Sequence, residues 1–132
     1  MCVPQEMRNK TKGAIHMKIL ICEPGKHPYE RDIEHTLENL QKIVGGYIQA
    51  IYPYDEQVAV ICNEDGLFFD LEWNRVVEKY GPIKGTFFIC GLDFDDFCDL
   101  TDEQIERYKK RFWNPEMLIP TPEGMIQVVI SD

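Results

Sequence analysis

The stretch "YIQAIYPYDEQVAVICNEDGLFFDLEWNR", residues 47–75, decides the fold class. It predicts short strands at about 47–52 and 57–62, separated by Pro53 and a polar turn, because apolar and β-branched residues fill both runs. "NEDG" predicts the next turn, since Asp-Gly favours the positive φ angles of tight hairpins, and "LFFDL" predicts a returning strand. Connections this short join antiparallel neighbours, so the stretch predicts a mainly antiparallel sheet.

Three segments outside this stretch or at its end carry helix signals, at 36–45, about 72–80 and 102–113. In the first, apolar residues recur at helical spacing between a Thr36 N-cap and Gly45. In the last, Thr101 and Gln104 form a capping box. The middle segment, "EWNRVVEKYG", predicts a short helix that ends at Gly81.

Further strands are predicted from apolar or alternating runs: "ILIC" within residues 18–22, "YERDIE", "IKGTFFICG" and "MIQVVI". The "YERDIE" run is expected to be the hairpin partner of residues 18–22. Together these elements predict an α+β fold in one domain. Its mainly antiparallel β-sheet is expected to carry two to three packed helices.

Residues 1–16 differ from the rest, because they lack apolar periodicity and carry three basic residues against one acid. "KGA", shortly before Met17, can be encoded by codons that contain a bacterial ribosome-binding site. We therefore expect residues 1–16 to be a disordered or wrongly assigned leader, with translation starting at Met17. Residues 17–132 are expected to form the single domain.

The net charge of −9 argues against direct nucleic-acid binding, which draws its affinity from clustered Lys and Arg. The sequence has no apolar run long enough for a membrane span, and its first residues lack the apolar core of a signal peptide. We therefore predict a cytoplasmic protein without membrane contact. The 5 cysteines contain no C-x-x-C and lie mostly in apolar runs, so they are predicted to be reduced, buried thiols.

Known catalytic and cofactor motifs do not occur in the sequence. G-x-S-x-G is absent and the sole serine is Ser131, while H-E-x-x-H, paired C-x-x-C and the glycine-rich phosphate loops are also missing. A cysteine beside one of the histidines remains open as an alternative. We predict a non-enzymatic protein with no catalytic residues, no metal and no cofactor.

The segment "LDFDDFCDLTDEQ" concentrates six acids between residues 93 and 103. Three of them offer the oxygen ligands that hard cations prefer: Asp93, Asp95 and Asp99. The favoured interpretation is a solvated turn in which Phe94 and Phe97 point inward. Like-charge crowding alone does not make a site.

The order of motifs "LQKIVGGYI", "VICNEDG", "WNR" and "GTFFICG" resembles a family known as domain of unknown function 3846, over about residues 17–112. The resemblance implies an origin in phages, plasmids or integrative elements of Firmicutes and their relatives, and a family without assigned enzymatic activity. The approach "FFDLEWNR" is longer and more aromatic than is common in that family. A partner surface near Trp73 is therefore expected to be specific to this protein.

The resemblance draws attention to Gly45, Gly46, Tyr47, Asn63, Glu64, Asn74, Arg75, Gly85 and Thr86. The candidate ligand-binding residues among them are Tyr47, Asn63, Glu64, Asn74 and Arg75. Arg75 is expected either to turn inward and pair with Glu64 or Asp65, or to face an anionic ligand. We favour the internal pair.

Two functions follow as hypotheses. The first is an accessory protein of a phage or mobile element that modulates or inhibits a host factor, in an anti-defence role, through protein–protein contacts and an acidic surface that mimics nucleic acid. Its candidate surface comprises Trp73, Asp93, Asp95, Asp96 and Asp99. The alternative is a small-ligand protein that binds or sequesters a nucleotide in a pocket near Arg75. The partner is an unknown host or element protein, and a homodimer is compatible with both.

Overall fold

The computed structural model describes residues 15–66, 70–94 and 96–131, and these contain two helices and ten strands. The strands are β1 His16–Cys22, β2 Tyr29–Glu34, β3 Ile48–Ile51, β4 Val58–Asn63, β5 Trp73–Val77, β6 Gly81–Lys84, β7 Phe87–Asp93, β8 Asp96–Cys98, β9 Glu116–Thr121 and β10 Gly124–Val129. The helices are α1 Leu37–Val44, between β2 and β3, and α2 Asp102–Arg111, between β8 and β9.

The main sheet has the strand order β2-β1-β7-β4-β3, and β8 pairs with the end of β7. Every neighbouring pair in it is antiparallel. Two smaller antiparallel sheets consist of β5 with β6 and of β9 with β10. The prediction of an α+β fold with a mainly antiparallel sheet is therefore confirmed.

The central strands are buried on both faces, which is why their sequences are continuous apolar runs. One face packs against α1, where Leu40 joins a cluster with Ile61 and Phe88. The opposite face packs against α2 and the β5–β6 hairpin. There the rings of Phe87 and Phe112 meet edge to face, with their centres 5.4 Å apart.

Several element predictions are confirmed. "YERDIE" is β2, the hairpin partner of β1, and the predicted strands at 47–52 and 57–62 are β3 and β4, which pair directly. The helix predicted at 36–45 has Thr36 as its N-cap and Gly45 in the left-handed conformation as its C-cap. The helix predicted at 102–113 is α2, and "MIQVVI" lies in β10 and the residue that follows it.

The helix predicted at about 72–80 is wrong, because this segment forms β5, a turn and β6. Its β-branched Val76 and Val77 suit a strand, and Lys79 takes a positive φ of 64° in the turn. The ladder also contains a β-bulge between Trp73 and Arg75, which places two consecutive polar side chains, Asn74 and Arg75, in the interior. The buried positions of this segment therefore do not recur at helical spacing.

The returning strand "LFFDL", predicted after the "NEDG" turn, lies mostly outside the described residues. The turn exists, but β4 has β3 and β7 as its neighbours, and the next described strand pairs elsewhere. Leu67, Phe68 and Phe69 lie outside the described residues, while Asp70 and Leu71 are not in a strand. The buried ladder positions beside β4 are already taken by β7.

Two further predictions concern the expected leader and the acidic turn. Residues 1–14 of the expected leader lie outside the described residues, and its last residue, His16, is the first residue of β1 and pairs with Glu34. Phe94 does not point inward: it is 91% exposed and has a φ of 57° at the β7–β8 turn. Phe97 does pack against the core, as expected.

Three of the predicted thiols, Cys22, Cys62 and Cys90, are free and buried. Burial raises the pKa of Cys22 to about 12 and that of Cys62 to about 11, because the thiolate loses its hydration. Cys98 is disulfide-bonded, contrary to the prediction. Among the described residues, no helix is long and apolar enough to cross a membrane.

Replacement of Thr101 by alanine tests how α2 is held. The Thr101 hydroxyl oxygen accepts a hydrogen bond from the Gln104 backbone N–H at 3.1 Å, and Oε1 of Gln104 accepts one from the Thr101 backbone N–H at 2.9 Å. We expect Thr101→Ala to lower the free energy of unfolding by about 1 kcal/mol. Thr101→Ser, which keeps the hydroxyl, should stay close to wild type in urea unfolding; equal losses for both variants would contradict the capping role.

Candidate functional site

Asn63 closes the last turn of α1. It is 4% exposed at the end of β4, and its Nδ2 donates to the carbonyl of Val44 at 3.1 Å. Its Oδ1 accepts from the backbone N–H of Asp65 at 2.8 Å, which is the expected Asx hydrogen bond. A Cβ on Gly46 would lie 2.9 Å from Asn63 Nδ2, so this glycine is required by the close approach. Asn63 is thus a structural link between helix and sheet.

Tyr47 and Glu64 lie at the surface beside this link. Tyr47 is 68% exposed, and its carbonyl accepts from the Glu64 backbone N–H at 2.8 Å, extending the β3–β4 ladder. A cleft of about 50 Å³ lies between Glu64 and the β5–β6 hairpin. Small-molecule sites usually measure about 300–1,000 Å³, so this cleft is too small for a nucleotide.

Asn74 joins three parts of the chain. It has no exposed surface, and its Nδ2 donates to the carbonyls of Cys22 at 2.9 Å and Gly85 at 2.8 Å. Its Oδ1 accepts from Nη1 of Arg75 at 2.6 Å. One amide therefore ties the end of β1 and the β6–β7 connection to β5. The bulge in β5 directs it inward.

Arg75 points inward, but its partners are not the predicted Glu64 or Asp65. Its Nη2 donates to the Lys26 carbonyl at 2.6 Å and its Nη1 to the Glu23 carbonyl at 3.4 Å. The residue is 0% exposed, and burial lowers the pKa of its guanidinium. Neutral carbonyls thus take the place of a paired carboxylate. Arg75 presents no surface to a dissolved anion.

The predicted acidic surface is only partly assembled. Asp93 and Asp96 face each other across β7 and β8, and Asp96 is exposed. Asp99 instead accepts a hydrogen bond from the Lys18 backbone at 2.7 Å, which joins β8 to β1. Asp95 lies outside the described residues. Asp99 is therefore structural, and the surface charge is smaller than the sequence implied.

Trp73 belongs to a different part of the molecule from these acids. It is half-buried in β5, and Nζ of Lys84 lies 4.8 Å from its ring centre. This distance is typical of a cation–π contact. The structure thus divides the predicted partner surface between the main sheet and the β5–β6 hairpin.

A group of exposed apolar side chains lies on β9 and β10 and was not predicted. Four side chains on one face of this two-stranded sheet form the apolar face: Met117, Ile119, Ile126 and Val128. They are 51%, 41%, 50% and 46% exposed. Cross-strand pairing joins Ile119 to Ile126 and Met117 to Val128. The alternation in "EMLIPT" and "GMIQVV" was the sequence signal for this face.

Glu116 attaches the β9–β10 hairpin to the rest of the molecule. It is 8% exposed, and its Oε1 accepts from the Val76 backbone at 2.9 Å and from Nε2 of Gln127 at 2.9 Å. The Glu116 carboxylate thereby accepts a backbone hydrogen bond from β5 and joins β9 to it. The described residues contain no group of three or more His, Cys, Asp or Glu that could hold a metal ion.

Truncation of Asn74 separates a structural role from a ligand-binding one. Asn74→Ala would leave two buried carbonyls and one Arg75 N–H without partners, at about 1–3 kcal/mol each, so we expect a loss of at least about 3 kcal/mol in unfolding free energy. Asn39→Ala is the matched control, because Asn39 Nδ2 makes one exposed bond to the Glu34 carbonyl. The control should lose less than about 1 kcal/mol. Similar losses would contradict the role of Asn74.

The chain matches the model of a protein family. No curated protein and no solved structure matches the chain. The model of a family described as "Domain of unknown function (DUF3846)" matches residues 17–113, a span that contains the main sheet, both helices and the Asn63 and Asn74 links and ends before β9. The chain therefore belongs to the DUF3846 family.

Proposed function

We propose that this protein is a non-enzymatic accessory protein of a phage or other mobile element that modulates or inhibits a host factor, in an anti-defence role, through protein–protein contacts. Residues 17–132 act as one unit in the cytoplasm. The observation that carries the proposal is the apolar face of the β9–β10 hairpin, Met117, Ile119, Ile126 and Val128.

The exposed apolar face of the β9–β10 hairpin suits a contact surface. Burial of apolar surface contributes about 25 cal/mol per Å², so a protein partner that covers these side chains would be bound favourably. The strand β10 is exposed along almost its whole length and, within the described residues, pairs only with β9. An edge of this kind offers backbone hydrogen-bonding groups to a second chain as well.

The acidic charge supports a basic partner. A net charge of −9 favours encounter with positively charged proteins at low ionic strength. Asp93 and Asp96, which face each other across β7 and β8, add acidic groups at the β8 end of the main sheet. We propose that this acidity competes for the basic surface of a nucleic-acid-dependent host factor, an effect that salt would weaken.

No observation on the described residues favours nucleotide sequestration near Arg75. The guanidinium of Arg75 is buried against carbonyl groups, and the cleft beside Asn63 has a volume of about 50 Å³. Opening that site would break the hydrogen bonds that hold β5 to β1.

Site-specific photocrosslinking tests the proposal. A benzophenone amino acid replaces Val128 on the apolar face, and in a control it replaces Leu37, which is 59% exposed on α1. Expressed in the native host cell, the Val128 variant should give a discrete adduct of fixed mass that the Leu37 variant does not give. Identical adduct patterns from both positions, or adducts from Leu37 alone, would show that the hairpin is not the contact surface.

A further inference from the structure

A groove of about 640 Å³ continues the apolar face toward the β5–β6 hairpin. Its apolar walls are formed by Leu71, Trp73, Met117 and Ile130. Met117 belongs both to this groove and to the apolar face, so the two form one continuous surface. A partner that covers the face therefore also reaches the groove.

Carboxylates dominate the charge of the groove. Asp70 and Glu72 are exposed at its rim, and Glu116 lies at its base with 8% exposure. Both of the hydrogen bonds described for the Glu116 carboxylate end on Oε1. Lys84 is the single cation among the residues that line the groove. The charge of Glu116 already interacts with the guanidinium groups of Arg75 and Arg111. The exposed acids Asp70 and Glu72 outnumber Lys84, so the groove is complementary to a positive charge.

The apolar walls of the groove favour a cation that carries an apolar stem. A lysine or arginine side chain has a long apolar stem and a charged head, so it matches a site with apolar walls and carboxylates at the rim and base. Lys84 already shows this mode of contact, because its Nζ lies 4.8 Å from the centre of the Trp73 ring.

We propose that the β9–β10 surface binds a basic, apolar peptide segment of a partner protein. The apolar residues of the segment cover Ile119, Ile126 and Val128, and one lysine or arginine enters the groove beside the exposed carboxylates of Asp70 and Glu72. This inference rests on the proposed function and adds the chemistry of the partner to it.

A second copy of this chain fits the surface less well. Each copy carries a net charge of −9, and the acids of the groove would meet a protein that has 23 acidic and 14 basic residues. The apolar face is six residues long and two strands wide, about 20 Å by 10 Å. This area is small beside the roughly 800 Å² that each partner of a stable complex usually buries. Additional attraction from opposite charge is therefore needed.

Methyl NMR titration of the full chain with synthetic peptides tests the inference. The probe is an alternating leucine–lysine peptide, and the matched control peptide has glutamate in place of lysine. We expect the lysine peptide to shift the methyl signals of Met117, Ile126 and Ile130, and the glutamate peptide to leave them unchanged. Binding should weaken when the ionic strength rises from about 0.05 M to about 0.5 M. Equal binding of both peptides would overturn the inference.

Three variants test separately whether peptide binding depends on the acids of the groove and on the apolar face. The double variant Asp70→Asn with Glu72→Gln should weaken binding of the lysine peptide about tenfold, which corresponds to about 1.4 kcal/mol. Glu30→Gln with Glu34→Gln makes the same charge change at exposed positions of β2 and should stay within about twofold of wild type. Ile126→Lys, on the apolar face, should abolish the methyl shifts.

The outcomes separate this inference from the proposed function. If Ile126→Lys abolishes peptide binding but the Asp70 and Glu72 changes do not weaken it, the groove assignment is overturned and the contact surface stands. If sedimentation shows a dimer that Ile126→Lys dissociates, and no peptide binds, the occupant is a second copy and the inference is overturned. If no peptide binds and crosslinking at Val128 also fails, both the inference and the proposed function are overturned.

Discussion

The buried pair of Asn74 and Arg75 joins segments of the chain that are far apart in sequence. Through this pair, β5 is bonded to the end of β1 at Cys22, to the loop at Glu23 and Lys26, and to Gly85. A guanidinium taken out of water is costly unless its N–H groups find acceptors, so these carbonyls are a condition of the fold. The position of the β5–β6 hairpin depends on this pair, and that hairpin in turn receives Glu116 of β9.

The same principle explains the other polar residues of the interior. Asn63 uses its amide to close α1, and Asp99 uses its carboxylate to bond the β1 backbone. Such side chains resemble a binding site in a sequence, because they are polar residues beside turns and strand ends. In the folded chain these side chains form hydrogen bonds to the backbone of the same chain. The surface left for partners is therefore made by other residues, above all the apolar side chains of β9 and β10.

Local signals in the sequence were sufficient for much of the fold. Thr36, Gly45 and the pair Thr101 and Gln104 mark helix ends through contacts within a few residues, so they could be predicted. The conformation of residues 72–80 depends on hydrogen bonds to partners 11 to 52 residues away in sequence, so local spacing could not reveal it. The same holds for Arg75, whose partners Glu23 and Lys26 are reached only once β1 and β5 are packed. The alternation of apolar residues in β9 and β10 was a signal for the apolar face, but no strand was predicted at residues 116–121, so the face was missed.

Hydrogen exchange of the arginine Nε–H groups, followed by NMR, tests the central claim that Arg75 belongs to the interior. Arg75 is 0% exposed and the described residues provide no acceptor for its Nε, whereas Arg31 is exposed on β2 and serves as an internal reference. The structure predicts that the Arg75 Nε–H exchanges far more slowly than that of Arg31, because exchange requires β5 to separate from β1. Exchange of Arg75 at the rate of Arg31 would contradict the account, since it would place the guanidinium in contact with solvent.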